Sequence, residues 1–416
     1  MSIPQTPTNS AEFSGTHADI MSALKIAEFG INPKESNPAQ RGVRIQTGNG
    51  TVTLASFDFE TAVSVTLPCT TPETAGTSLL DHTEMVKVMG AFVAGETKTV
   101  AARTPVALTG DLLTGGGMTV PIAAPDPAAY TPAPLPALAQ VTLDPQVFLS
   151  QLLRTLPARG TDDTLSTLTG VAFTLTGQTL TLAATDRYRF AVADIPAAPI
   201  GAETADGHPT SALVPGGILK RLVPVLKTHT GPLALGISPD GGWVTLTAGQ
   251  TTITQRTLDG RLPRHDKLFP TKAAASVSIP RTTLDTALKK SAAVIKAKAS
   301  NDTPVSLLWD GTGSLTLAPV LPDDQDRARF KGIPLPHTTP QGDPAVLHRR
   351  AVTFKPVFLA AALAAFSGDT VTLHIPDKII ENKHMAVTFT DGPAITGDNY
   401  RHLLMSIRLE DGTWNL

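Results

Sequence analysis

The sequence predicts an α+β chain of three structurally similar domains, each combining short strands with a pair of helices. Three observations predict it. Alternating segments rich in Thr, Val and Leu recur along the chain, mostly bounded by Gly, Asn or Asp, which is the mark of half-buried strands and hairpins. Six other stretches carry apolar residues at i, i+3, i+4 and i+7, the helical period. The order helix, hairpin, second helix and closing segment then repeats three times.

The strand segments are 43–46, 51–55, 170–176, 179–184, 243–248, 251–258, 305–309, 314–318, 371–375 and 386–390. Several flank tight-turn residues, as at Thr47-Gly48-Asn49-Gly50 and Thr176-Gly177-Gln178. The helical stretches are 18–29, 81–92, 144–156, 216–227, 282–298 and 356–366, with first-turn prolines after Asp144 and Lys355. The first copy sets its hairpin at 42–60, the second at 170–189 and the third at 305–319. Expected boundaries follow at 1–137, 138–271 and 272–416.

Composition bounds the function. The 416 residues are 41% hydrophobic and 17% charged, enough apolar material for real cores and too much for global disorder. The net charge of −2 argues against a protein that grips nucleic acid by overall basicity. One cysteine, Cys69, excludes an internal disulfide. No apolar run reaches the roughly 18 residues of a membrane helix, and the first residues lack a basic and apolar leader, so a cytoplasmic location is expected.

Catalytic patterns are missing. There is no Gly-x-Ser-x-Gly, no His-Glu-x-x-His and no phosphate loop, and the ten His show no ligand spacing. Cys69 has no basic neighbour in sequence to activate it. Asp323, Asp324 and Asp326 lack the Gly and Glu of a calcium loop and read as a solvated acidic loop. Gly115-Gly116-Gly117 precedes no helix and reads as a hairpin turn. No enzyme activity, metal or cofactor is expected.

The middle copy carries a resemblance. Leu168-Thr169-Gly170-Val171 followed by Leu180-Thr181-Leu182-Ala183-Ala184-Thr185-Asp186-Arg187-Tyr188-Arg189-Phe190-Ala191 resembles the central domain of bacterial sliding clamps, the beta subunit of DNA polymerase III. It continues at Gly260-Arg261-Leu262-Pro263, at Leu268-Phe269-Pro270 and from Tyr400 through Leu409, and more weakly at Ser56-Phe57-Asp58-Phe59 and Tyr130-Thr131-Pro132. The resemblance implies the DNA clamp fold, with sheets outside and two helices per domain facing inward. It also implies a head-to-tail homodimer closing a ring around duplex DNA. Such a ring is a non-catalytic processivity factor that binds DNA topologically, without reading sequence. It tethers the polymerase alpha subunit, the clamp loader and repair polymerases through linear peptide motifs.

Two surfaces are implied. The peptide-binding pocket would use Leu168, Thr185, Arg187, Tyr188, Arg189 and Phe190 of the central domain. Pro263, Lys267 and Leu268 would join from the linker, and Leu404, Met405, Ser406, Ile407, Arg408 and Leu409 from the last strand. An apolar cleft with a flexible Met and a basic rim suits several peptides. The DNA-facing set would be Lys34, Arg154, Arg159, Lys220, Arg221, Lys289, Lys290, Lys296 and Lys298. The expected inner helices of the second and third domains are indeed rich in these cations, whereas those of the first are not.

Departures from the family pattern mark the chain as divergent. Arg187-Tyr188 stands where Gly-His is common, Ser406 where Pro is usual, Lys267 where Arg is frequent, and residues 410–416 run past the usual end. These keep open an accessory, mobile-element or inhibitor-resistance clamp with an altered pocket. From another class, a β-rich binding protein unconnected with DNA also remains open.

Overall fold

Alternation and turn chemistry set most of the chain into antiparallel strands. The structure is a computed structural model that describes residues 9–201, 209–309, 314–342, 346, 350–376, 385–409 and 413–414. These residues fall into two compact units: Met1–Pro145, Ala197–Val214 and Arg221–Thr257 in one, and Gln146–Pro196, Pro215–Lys220 and Leu258–Leu416 in the other.

The first unit contains two sheets. The smaller joins Glu12–Thr16, Pro105–Thr109, Leu112–Gly115 and Met118–Pro121 in that order. The larger runs Gly76–Asp81, Gly42–Gly48, Thr51–Phe57, Thr61–Pro68, Thr251–Arg256, Trp243–Ala248, Leu233–Ile237 and Val141–Leu143. The hairpin from Gly42–Gly48 to Thr51–Phe57 turns on Asn49 and Gly50, both at positive φ (53° and 71°), as the two-residue turn requires. Helices His17–Ala27 and His82–Phe92 begin at Thr16 and Asp81, whose side chains accept from the amides of Asp19 and Glu84. They bury Ile20, Leu24, Met85 and Met89, and Ile45, Leu54 and Leu80 of the sheet are buried too.

The second unit repeats the plan. Its larger sheet runs Gly170–Thr176, Thr179–Thr185, Arg189–Pro199, Tyr400–Met405, Ala386–Thr390, Thr370–Ile375 and Ala275–Pro280, with Thr339–Gly342 also on the last strand. The smaller sheet joins Ile333–Pro334, Leu315–Pro319, Val305–Trp309 and Arg350–Phe354. Phe148 and Phe173 meet edge to face at 6.1 Å, and Phe354 and Phe389 at 5.9 Å, in the buried layer under helices Pro145–Thr155, Arg281–Lys298 and Pro356–Ala364.

All six expected helices form, with Gly216–Thr228 carrying an internal Pro224. The first is shorter than its pattern, because the chain tightens into a 3₁₀ turn at Glu28–Gly30. The acidic run is not a solvated loop. Asp323 caps a short helix, Asp324–Arg329, by accepting from the Asp326 amide. Asp326 also receives Lys298 Nζ at 2.6 Å, and Arg327 pairs with Asp324. Strands such as Thr61–Pro68, Arg189–Pro199 and Tyr400–Met405 escape the alternation test because both of their faces are largely buried.

The glycine triplet makes the turn between Leu112–Gly115 and Met118–Pro121, with φ of 55° at Gly116 and 79° at Gly117. A Cβ on Gly116 would lie 2.2 Å from the Phe92 carbonyl oxygen, whereas one on Gly117 meets nothing within 4 Å. Gly117→Ala is therefore expected to cost about 1–2 kcal/mol of stability from backbone strain alone. Gly116→Ala should cost about 3 kcal/mol or more. Denaturant titration of both variants checks the order; equal losses would contradict it.

Candidate functional site

A five-residue turn in the second unit places the first set of candidate residues. Asp186 follows the strand Thr179–Thr185, and its Oδ1 accepts from the amides of Tyr188 and Arg189, both at 3.1 Å. Its Oδ2 takes Arg189 Nε at 3.0 Å. The Thr185 hydroxyl donates to the Arg189 carbonyl at 2.7 Å and accepts from the Arg187 amide at 3.1 Å. The polar groups of the turn thus satisfy one another, and Arg187 is held at φ 80°. An L residue there costs about 1 kcal/mol relative to Gly.

The same turn occurs in the first unit. Asp58 Oδ1 accepts from the amides of Glu60 and Thr61 at 3.1 and 2.6 Å, and Phe59 sits at φ 71°. The agreement extends to the neighbouring strand: Arg256 N donates to the Glu60 carbonyl at 2.7 Å, as Met405 N donates to the Tyr188 carbonyl at 2.9 Å. The two turns are equivalent points of a repeated unit.

Strand pairing brings Arg189, Phe190, Leu404 and Met405 of the pocket set together. Arg189 lies opposite Leu404 and Phe190 opposite Leu403. Phe190, Leu403, Ala183, Val192 and Phe269 form a buried cluster, with Met405, Leu262 and Ala386 packed on it. Phe269 meets Phe190 edge to face at 6.2 Å, and the Arg401 guanidinium covers the Phe269 ring at 5.2 Å. Beyond the strand, Ser406 exchanges hydrogen bonds with the Met385 backbone, 2.7 Å from its amide and 2.9 Å to its hydroxyl. The Ile407 amide donates to the Thr353 carbonyl at 2.7 Å.

The residues differ in what they can offer a ligand. Thr185 and Leu404 are buried and serve the turn and the sheet. Ser406 is buried as well. Tyr188 and Leu268 are 52% and 45% exposed, and Arg187, Pro263, Lys267 and Arg408 are exposed as well. Leu168, Met405, Ile407 and Leu409 are half-buried. On the linker, Phe269 rather than Leu268 is the buried anchor, because the bonds from Leu268 N and Phe269 N to the His265 carbonyl turn the chain there.

Phe358 is absent from the sequence-based set. It opens the helix Pro356–Ala364 and stacks on Tyr188 at 5.8 Å with a 23° interplanar angle. The Arg189 guanidinium lies 4.9 Å and Lys355 Nζ 5.9 Å from its ring. The only sequence signal was its place at the start of an apolar helix, which does not say what that end meets. His265, beside Phe190 at 6.3 Å, was also missed; burial, with help from the Arg401 charge, holds its pKa low.

The basic set divides. Arg154 is committed to the protein: its Nη2 lies 2.5 Å from Asp391 Oδ2, its Nε donates to the Ala365 carbonyl at 2.6 Å, and its guanidinium covers Tyr400 at 4.0 Å. It braces the protein rather than presenting a free charge. Arg221 closes the end of the first helix, donating to the Glu28 and Phe29 carbonyls at 3.0 and 3.4 Å over the Phe29 ring. Arg159 is half-buried and bonds the Gly160 carbonyl at 3.0 Å. Lys289 and Lys298 form exposed pairs with Asp285 and Asp326. Lys34, Lys220, Lys290 and Lys296 are exposed. Among the described residues no cluster of His, Cys, Asp or Glu has the makings of a metal site, and no helix is long and apolar enough to cross a membrane.

Two buried histidines lie in the sheet that carries Met405, His402 in the same strand and His374 in Thr370–Ile375, two strands away. Tyr400 donates its hydroxyl to the Arg154 carbonyl, so His402 Nδ1, 3.0 Å away, is the donor to that oxygen and Nε2 is the bare nitrogen. His374 lies between Ser276 at 2.9 Å and Thr390 at 2.7 Å. Burial lowers their pKa values to about 3 for His402 and about 4 for His374.

Comparison with known proteins places this geometry. Residues 142–264 match the family model described as DNA polymerase III beta subunit, central domain. A beta sliding clamp of Streptomyces coelicolor is 28% identical over 396 residues, covering 93% of this chain and 96% of that protein. The beta sliding clamp homolog GriR of Streptomyces muensis is 27% identical over 272 residues, covering 65% and 70%. The crystal structure of the DNA polymerase III beta subunit of Thermotoga maritima superposes with a TM-score of 0.74 at 19% identity, covering 96% of this chain and all of that one.

The histidines give a pH expectation. Their folded pKa values lie below the unfolded value of about 6.5, so between those limits the unfolded chain binds more protons. Their contribution is complete above about pH 6.5 and is lost as pH falls toward 4 and then 3. Urea midpoints should fall over that window, and His402→Asn should flatten the slope. A slope unchanged by that substitution would contradict the assignment.

Proposed function

Because the chain belongs to the bacterial sliding-clamp family as a divergent member, we propose that it is a processivity factor that closes a ring around duplex DNA and tethers a replicative polymerase. The carrying observation is the ladder that sets Phe190 opposite Leu403 and Arg189 opposite Leu404, with Tyr188, Leu268 and Phe358 exposed or half-buried beside it. That arrangement offers a short peptide apolar anchors and a cationic rim formed by Arg187, Lys267, Lys355 and Arg408. Three domains, at 1–137, 138–271 and 272–416, are the units of the ring. Two subunits close it head to tail, since a contact between unlike surfaces makes a ring only where the rotation closes. No chemistry of its own is assigned to the chain, and its place of work is the cytoplasm.

The DNA contact is loose and blind to sequence. Lys34, Lys220, Lys290 and Lys296 supply exposed charge, with Arg159, Arg221, Lys289 and Lys298 partly committed to the protein. Exposed ammonium groups on helices meet phosphates through a hydrated, screened field, which permits sliding. A second reading, an accessory clamp with an altered pocket, is favoured by Arg187, Tyr188 and Ser406. Their positions in the turn and beyond the last strand are where a change alters peptide choice without unfolding the sheet.

Two experiments test the function. Loaded by a clamp loader, the protein should remain on nicked circular DNA and run off once the circle is linearised; equal loss from both would overturn the ring. Lys290→Glu with Lys296→Glu should lower retention several-fold while leaving peptide affinity unchanged. Met405→Ala with Arg408→Ala should weaken binding of polymerase-derived peptides about 10-fold or more and leave the ring intact. Unchanged affinity would sink the pocket assignment.

A further inference from the structure

We propose that the smaller sheet of the second unit carries, on its outward face, a docking site for an aromatic side chain, and that the occupant is the chain's own Trp414. The segment after the last strand thereby acts as a strap, fixing residues 407–409 and the short helix Asp324–Arg329. Neither the ring nor the peptide cleft is needed for it.

Burial in the three hairpin copies marks the site. Each copy opens with a strand whose alternate residues enter the core: Val43, Ile45 and Thr47, then Val171, Phe173 and Leu175, then Val305, Leu307 and Trp309. The residues between them face away. In the first copy Arg44 is half-buried and Gln46 exposed, and in the second Ala172 and Thr174 are half-buried. In the third, Ser306 and Leu308 are both buried. Ser306 stands in register between Ala318 and Thr353, and all three are exposed by 2% or less. Three small side chains at one level of a sheet make a shallow floor. An outward face buried this deeply needs a cover.

Trp414 supplies it. The side chain is half-buried, and its Nε1 donates to Ser306 Oγ at 3.1 Å, an oxygen that lies 2.7 Å from Thr353 Oγ1. An indole brings a broad apolar body and a single donor, which suits a floor of small residues around one hydroxyl pair. The residue before it is held as well. Arg327 Nε donates to the Thr413 carbonyl at 3.0 Å, Nη1 donates to the Leu321 carbonyl at 2.7 Å, and Nη2 pairs with Asp324. One guanidinium thus ties the strap to the start of the helix Asp324–Arg329. Nearer the last strand, the Ile407 amide meets Thr353 on the outer edge of Arg350–Phe354, whereas Ser306 lies on the strand beyond. The segment is therefore pinned at two points on successive strands.

Amide hydrogen exchange on the full-length protein, read segment by segment, tests the strap. Trp414→Ala should speed exchange about 10-fold or more at Ile407 and across 324–330, and leave the ladder between Arg189–Pro199 and Tyr400–Met405 within about twofold. Trp414→Phe keeps a ring and loses the donor, and Ser306→Ala loses the acceptor. Each should speed the same segments by about 2–10-fold, the loss of one hydrogen bond. Exchange at Ile407 and 324–330 that stays at the wild-type rate in Trp414→Ala overturns the proposal, and so does a rise shared equally by every segment. Should Trp414→Ala fail to fold, the two milder variants decide, and wild-type exchange in both overturns it.

Discussion

The ladder between Arg189–Pro199 and Tyr400–Met405 is the interaction on which the second unit depends. It joins strands some two hundred residues apart and passes from the second copy of the sequence repeat to the third. Each strand is also paired on its other side, with Thr179–Thr185 and with Ala386–Thr390. The register is therefore fixed from both flanks. A slip of one residue would turn Phe190 and Leu403 out of their cluster and bring Arg189 in. The Arg154–Asp391 pair and the Tyr400 hydroxyl bonds hold the start of the last strand against the helix Pro145–Thr155 in a partly buried polar network.

The first unit shows what the same backbone does with other side chains. Thr61–Pro68 pairs with Thr251–Arg256 in the register used by Arg189–Pro199 and Tyr400–Met405, and each pair is preceded by an Asp turn. Where the second unit sets Arg189 opposite Leu404 and leaves Tyr188 open, the first sets Thr61 opposite Gln255, its hydroxyl donating at 2.8 Å, and pairs Glu60 with Arg256. A hydrogen-bonded junction of that kind gives an apolar peptide little to displace. One backbone thus carries a hydrogen-bonded, ion-paired junction in one place and an open aromatic edge in the other, and the difference lies in a few residues around the turn.

Charge is divided between bracing and display. The net charge of −2 conceals cations that do separate work. Arg154, Arg189, Arg221 and Arg327 are tied to carboxylates or carbonyls that close helices and turns. The exposed lysines remain hydrated, and an ammonium group on a flexible stem attracts phosphates without fixing them. Weak, screened attraction of this kind suits a topological binder, so overall basicity is a poor guide to this class of DNA contact.

Local periodicity was enough to place six helices, the main hairpins and the repeat, because capping residues, glycine turns and alternation act over a few residues. The motif around Thr185-Asp186 and the last strand was legible for the same reason: its turn is bonded within five residues. What lay beyond the sequence depended on contacts between distant segments. Phe358 meets Tyr188, Phe269 replaces Leu268 as the buried anchor, and Arg154 finds Asp391, none of which a local pattern encodes. Strands buried on both faces lose the alternation that reveals them, so Arg189–Pro199 was visible only as a motif until its partners were in place. The sequence by itself determined the repeated α+β units and the chemistry available at the turn. The tertiary structure decided which of the described cations are paired and which aromatics stay exposed, since both follow from where distant segments come to rest.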